Sequence, residues 1–145
     1  MAGLGEIKFA DGTIYQGQVQ SRLIHGKGRM VKVNGDTYQG EYVQGKAQGR
    51  GILLDSDGTQ YDGSWAKDIQ HGKGVETWQE AGLDNQLSTM RYNGDYINGA
   101  KTGRGRFECD GSTYDGEFKD GKFHGEGKYY FADSGRIYKG IFVNN

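Results

Sequence analysis

The sequence contains no proline and one cysteine, Cys109. Every residue can therefore donate a backbone N–H, and a β-ladder can run without interruption. A lone cysteine excludes an internal disulfide and a four-cysteine zinc site, and it fits a reducing, intracellular setting. Its neighbours Phe107, Glu108 and Asp110 bring no cation to lower the thiol pKa, so inert packing is expected. No stretch approaches the roughly 18 apolar residues of a membrane helix. The segment Met1–Glu6 has no basic start and no apolar run, so no signal peptide is expected. Charge of one sign is missing too: 18 Lys and Arg stand against 19 Asp and Glu, a net charge of −1. That leaves no general field for nucleic acid or an acidic membrane surface.

Glycine is what the chain has in quantity, 27 in 145 residues. These glycines are ordered. Six tyrosines (Tyr15, Tyr38, Tyr61, Tyr92, Tyr114 and Tyr138) each open the pattern Tyr-x-Gly-x-hydrophobe, at gaps of 23, 23, 31, 22 and 24 residues. Eleven residues after each of the first five comes Gly-x-Gly, as in Gly26/Gly28 and Gly125/Gly127. Gly3/Gly5 forms one more such pair, and most remaining glycines mark turns. Random low-complexity glycine would not sort in this way, which argues against disorder. A period of this length signals a stacked array.

Each period reads as a β-hairpin. Asp11-Gly12, Asn34-Gly35, Asp57-Gly58 and Asp110-Gly111 are tight-turn dipeptides. Between turns the alternation has a period of two. One face of the first strands carries Tyr, Gly and a hydrophobe, as in Tyr61/Gly63/Trp65, and the other is mostly polar. Second strands place their glycines and then Ile7/Phe9, Met30, Leu53, Trp78, Phe107/Cys109 and Tyr129/Phe131 on one face. A flat ring needs space to lie across a neighbouring strand, and glycine supplies it. A hairpin alone is marginal, so stability comes from neighbouring copies. The expected fold is an all-β, elongated, single-layer antiparallel meander of about twelve strands without substantial helix. At ~4.8 Å per strand it would be roughly 55–60 Å long. The organisation is one array: a half repeat over 1–14, repeats from 15, 38, 61, 92 and 114, and a half repeat over 138–145. Residues from about Glu80 to Thr89 stand as an irregular insertion in the third copy.

This pattern resembles the MORN repeat (membrane occupation and recognition nexus), whose motif is similar to Tyr-x-Gly-x-aromatic, a glycine loop and then His-Gly-x-Gly. The copies from Tyr61 and Tyr114 resemble it best, with Trp65/His71 and Phe118/His124. Val19 departs from it in the first copy, and Gln48 and Thr102 replace the histidine in two others. The resemblance implies a twisted hairpin array whose grooved aromatic face binds a partner's peptide or helix. It also implies a cytoskeletal or ciliary scaffold, or an accessory module beside a catalytic domain.

Chemistry finds little support in the residues. His25, His71 and His124 hold one slot in alternate copies. Two such copies lie about 19 Å apart, too far for one metal to bridge, so the histidines read as loop hydrogen-bonding groups. Pairs such as Gly26-Lys27 are never followed by Ser or Thr, and no helix is expected after them to cradle a phosphate. No catalytic constellation appears, and no cofactor, metal or nucleic acid is expected. Lys27, Arg50, Lys73, Arg104 and Arg106 form a basic stripe opposite the glycines, with Lys101, Arg104 and Arg106 its densest cluster. Two readings of it stand: cross-strand pairing with Glu41, Asp62, Asp95 or Glu117, or docking of acidic partners or phosphoinositide headgroups.

The favoured site is the aromatic face. With no second layer to hide it, Tyr42, Trp65, Tyr96, Phe118 and Phe142, beside Tyr61, Tyr92 and Tyr114, are expected to line a groove for a peptide or amphipathic helix. Both ends read as open strands, which implies a longer array or edge-to-edge assembly. The expected function is a non-catalytic scaffold in the cytoplasm, cytoskeleton or cilium. A phospholipid-binding or membrane-tethering module is the alternative, or a regulatory segment of a larger lipid kinase or methyltransferase.

Overall fold

A computed structural model describes residues 2–144; Met1 and Asn145, the outermost residues of the two half repeats, lie outside the described residues. Among the described residues there are twelve antiparallel strands and no helix, and the order in the sheet is the order in the chain. The chain divides into two units, Met1–Ile69 and Gln70–Asn145. The first holds β1 (Ala2–Lys8), β2 (Ile14–Gln20), β3 (Leu23–Val31), β4 (Thr37–Val43), β5 (Lys46–Leu54) and β6 (Gln60–Ala66). The second holds β7 (Ile69–Ala81) from its second residue on, with β8 (Leu87–Ile97), β9 (Ala100–Cys109), β10 (Ser112–Lys119), β11 (Lys122–Tyr130) and β12 (Ile137–Phe142).

Glycine faces glycine across the ladders: Gly17 opposite Gly28, Gly40 opposite Gly51, Gly94 opposite Gly105 and Gly116 opposite Gly127. The head tyrosine lies over this pair. A Cβ built on Gly28 would collide with the phenol end of Tyr15. The tyrosine hydroxyl then donates to the backbone carbonyl three residues on, from Tyr15 to Gln18 and likewise to Glu41, Ser64, Asp95 and Glu117, at 2.6–3.1 Å. Ring and hydroxyl together seal the bare backbone, and Tyr15, Tyr61, Tyr92 and Tyr114 are fully buried.

The first glycine of each Gly-x-Gly has a different reason. The register slips between Gly17 and Val19, and again between Gly40/Tyr42, Gly94/Tyr96 and Gly116/Phe118. The second strand bulges there, and Gly26 takes up the bend with φ of 86°. A side chain from the first strand caps each bulge. Gln18, Glu41, Asp95 and Glu117 accept the N–H of Lys27, Arg50, Arg104 and Glu126, at 2.5–2.9 Å. The polar face of the first strands is thus a set of backbone caps, a role the alternation alone does not reveal.

The expectation about turns is corrected. Of the four Asp/Asn-Gly dipeptides, only Asp110-Gly111 makes a two-residue hairpin, with Ser112 paired to Cys109 and φ of 51° and 86°. The other three lie in longer turns closed by bonds such as Phe9 N–H to Thr13 O, where the glycine alone has positive φ. The tight turns inside the copies are at Ser21-Arg22, Gln44-Gly45, Lys67-Asp68, Asn98-Gly99 and Asp120-Gly121, each with both residues at positive φ. Two of these lack glycine. Asp68 has a compensating contact, since its Oδ1 accepts the Ala47 N–H at 2.7 Å.

The supposed irregular insertion is a lengthened ladder. β7 and β8 stay in unbroken register from Gly72/Tyr96 to Ala81/Leu87, then close through Gly82 N–H to Gln86 O at 2.9 Å. Thr77, Trp78, Thr89 and Met90 favour strand, and Asn85 with φ of 61° stands where other turns have glycine.

Arg22 holds φ of 66° with no side-chain bond of its own. Left-handed backbone costs an ordinary residue roughly 1–2 kcal/mol, so Arg22→Gly should stabilise the protein by about 1 kcal/mol after the added unfolded-state entropy. Urea midpoints of the two proteins check this. Gly28→Ala should destabilise by about 1–3 kcal/mol in the same assay, because Tyr15 must leave its place.

Candidate functional site: the aromatic face

The rings expected to line a groove are mostly spent on the fold. Tyr42, Trp65, Tyr96 and Phe118 are only 4, 8, 2 and 5 % exposed, and Tyr61, Tyr92 and Tyr114 are buried beneath them. In the first unit Tyr42 meets Tyr15 and Tyr38 edge-on at 5.5 and 5.0 Å, and Trp65 meets Tyr38 and Tyr61 at 5.2 Å. In the second unit Phe118 packs the same way on Tyr92 and Tyr114, at 4.8 and 5.1 Å. Each ring's positive edge faces a neighbour's negative face, the favourable arrangement. The Trp65 indole N–H also donates to Gly51 O at 3.0 Å. Phe142 is the half-exposed exception in this set. The uncovered sheet face is therefore closed by its own side chains, and most of these rings are core.

What solvent meets on this face comes from the second strands. In the second unit Trp78, Phe107, Phe123 and Tyr129 are half-buried and Phe131 is exposed. Their centroids follow one another at 6.2, 5.8, 6.0 and 4.5 Å. Trp78, Phe107 and Phe123, with Tyr92 and Phe118 below, line a recess of about 250 Å³. In the first unit half-buried Met30 and Leu53 flank Tyr38, Tyr42 and Trp65 around a recess of about 430 Å³. In the sequence these second-strand residues are the larger residues after each Gly-x-Gly, a weaker signal than the head aromatics.

The recess in the second unit holds an ion pair. Position two after Gly-x-Gly is Ile7, Met30, Leu53, Phe107 or Tyr129 in the other copies, but Glu76 in the third. Lys101 stands opposite Tyr96, where the other strands put Ile24 opposite Val19, Ala47 opposite Tyr42 and Phe123 opposite Phe118. Lys101 Nζ is 2.5 Å from Glu76 Oε2, and these side chains are 23 and 19 % exposed. The ammonium also lies 4.7 Å from the Trp78 ring centre. Tyr96 donates to the same Glu76 oxygen at 3.4 Å. Lys101 thus belongs to the aromatic face, and the expected basic cluster with Arg104 and Arg106 splits between two faces of the sheet.

On the opposite face the basic stripe is largely matched by acids. Arg50 lies 3.7 Å from Asp62, Lys73 pairs with Asp95, and Arg106 contacts Glu108 and Asp115 at 2.9 and 3.4 Å. Lys27 and Arg104 face Glu41 and Glu117 across the strands. The histidines act in loops: His25 Nδ1 accepts the Gln44 N–H and His71 Nδ1 the Asn98 N–H, both at 3.2 Å. Gln48 and Thr102 do the same for Lys67 and Asp120, which explains why they replace histidine without loss. Burial, and then the charge of Asp110, push the Cys109 thiol up.

Trp65→Ala should cost about 3–5 kcal/mol in urea unfolding, the value of a core ring. Lys101→Ala alone should cost about 1–2 kcal/mol by leaving Glu76 uncompensated, while Glu76→Leu with Lys101→Ala should restore wild-type stability. Burial raises the Tyr38 hydroxyl to about 12 and also raises Tyr15, Tyr42, Tyr92 and Tyr114. A folded pKa above the unfolded value of about 10 means stability is complete below pH 10 and falls as pH climbs towards 12. Circular dichroism along an alkaline titration should show cooperative unfolding in that window.

The MORN repeat family model matches residues 15–37, 38–60, 61–80, 92–113 and 114–136. These matches cover well over half of the sequence, and the chain belongs to the MORN repeat family.

Proposed function

We propose that this protein is a non-catalytic scaffold that takes an extended peptide or amphipathic helix of a protein partner against the half-exposed rings of its aromatic face. MORN repeats are known as protein- and membrane-binding modules. The observation that carries the protein-binding reading is the file Trp78–Phe107–Phe123–Tyr129–Phe131, left accessible after the head rings have closed the core. Anchoring pockets of half-buried aromatics with one polar group inside are what hot spots are made of, and Glu76 with Lys101 supplies that group. Tyr42 and Trp65 line the recess of the first unit and Phe118 that of the second, so these rings support the surface from below. A cytoskeletal or ciliary setting within the cell is part of this proposal, and the resemblance to the family is its one support. The lipid-binding reading is weaker, because acids already accompany the stripe of Lys27, Arg50, Lys73, Arg104 and Arg106.

The test places a photo-crosslinking phenylalanine analogue at Phe107, and at Lys139 on the opposite face, in the native cells. Cross-links should form from position 107 to one apolar segment of a partner. Trp78→Ser with Phe131→Ser should cut their yield about tenfold while the β-sheet spectrum is kept. Cross-links from position 139 alone would overturn the reading. So would pelleting with phosphoinositide vesicles that depends on Lys27 and Arg104.

A further inference from the structure

The recess of the first unit is built on the same positions as the recess of the second that Lys101 lines. Tyr42 stands opposite Ala47 as Tyr96 stands opposite Lys101. Tyr38 pairs with Met30 and Leu53 as Tyr92 pairs with Glu76 and Phe107. Trp65 and Asp68 follow Tyr61 at the same spacing as Phe118 and Gly121 follow Tyr114.

Three exchanges change what the first recess offers. Where the second unit has a lysine chain, the first has the methyl of Ala47, beside a recess of about 430 Å³. Met30 stands for Glu76, so the acceptor that Tyr96 uses has no counterpart. Asp68 stands for Gly121 and brings a carboxylate to the lining. The Tyr42 hydroxyl is thereby left buried without a hydrogen-bond partner, on a residue that is 4 % exposed and lines the recess. The other polar rings there are satisfied: Tyr15, Tyr38 and Tyr61 reach carbonyls, and Trp65 reaches Gly51 O. An orphaned buried hydroxyl is a standing cost that a bound group removes. Charge is unbalanced too. Lys32 and Asp36 on the lining offset one another, whereas Asp68 belongs to none of the ion pairs among the described residues. Asp68 Oδ1 accepts the Ala47 N–H, and its charge reaches the orphaned group: burial, then Tyr38, Tyr15 and Asp68, push the Tyr42 hydroxyl up.

We propose that this recess takes a lysine side chain of a protein partner, as the second unit takes its own Lys101. The alkyl stem lies against Leu53 and the Tyr38 and Trp65 rings, and the ammonium donates to Tyr42 Oη and Asp68 Oδ2. Met30, an unbranched and adaptable chain, gives way so that the ammonium reaches the hydroxyl. Aromatic walls with a carboxylate favour an ammonium, and one positive charge offsets the one that is unbalanced. A carboxylate would be repelled by Asp68, and an apolar chain would leave the hydroxyl unpaired. The inference rests on the proposed function for the source of the lysine alone; the recess itself is testable without the partner.

The test titrates Nα-acetyl-lysine methylamide into the whole chain and follows the Trp65 indole N–H by NMR, with Trp78→Phe assigning the other indole signal. The Trp65 signal should shift saturably, and the norleucine analogue should bind about tenfold more weakly. Asp68→Asn keeps an oxygen for the Ala47 N–H and should weaken the lysine probe about fivefold. Tyr42→Phe should weaken it about threefold, yet leave the free protein as stable as wild type or more so, because no partner is lost. Ala47→Lys should abolish binding by filling the recess from within. No saturable shift up to about 50 mM would overturn the proposal. So would equal binding of the norleucine analogue, undiminished binding to Asp68→Asn, or a loss of stability in Tyr42→Phe. Probe binding here with no cross-links at position 107 would count against the scaffold reading alone. Cross-links there with no probe binding would count against this site alone.

Discussion

A tyrosine ring lying flat on paired glycines is the contact on which the rest depends. A sheet with no second layer must make a core within the depth of one side chain. A ring set across two bare backbones does this, and its hydroxyl reaches a carbonyl that the bulge leaves free. The second aromatic of the strand then stands edge-on against the ring, and against that of an adjacent copy. Neither ring is buried without the other. This is why the copies stabilise one another although a single hairpin would be marginal.

The same unit consumes the polar face. Bringing two glycine backbones under a ring bends the second strand, and the bend leaves an N–H pointing across the sheet. Gln18, Glu41, Asp95 or Glu117 takes it. An acid serving as a cap there draws a basic residue beside it, as Asp95 draws Lys73. The column of basic residues is in large part the consequence of a backbone requirement two steps earlier. Alternation of polar residues, with no account of the bulge, could only present it as a candidate docking surface.

Legibility followed the strength of each physical constraint. Tyrosine, glycine and their spacing cannot vary without breaking the unit, so strands, copies and the all-β class could be read directly. The tight turns were misplaced because Ser21-Arg22 and Lys67-Asp68 adopt positive φ without glycine, while Asp11-Gly12, Asn34-Gly35 and Asp57-Gly58 close longer loops. The residues from Glu80 to Thr89 looked irregular for lack of a tyrosine–glycine pattern, though Thr77, Trp78, Thr89 and Met90 were strand formers in plain view. Ring burial is not legible from the absence of a second layer, because the rings cover one another edge-on.

Where the unit fixes identity, it leaves nothing to distinguish one copy from another. The positions it does not fix are the second residue after each Gly-x-Gly and the second residue before it. On the aromatic face these hold Met30, Leu53, Glu76, Phe107 and Tyr129 in the first set, and Ile24, Ala47, Lys101 and Phe123 in the second. They are also where the face departs from repetition: Glu76 meets Lys101, and Phe123 stacks on Tyr114 at 4.0 Å. The head tyrosines from Tyr15 to Tyr114 are alike and covered, and would give a partner on this surface no specificity. Its selectivity must come from these variable sites. The copies from Tyr61 and Tyr92, where an ion pair replaces two apolar groups, therefore differ most in what they offer a partner.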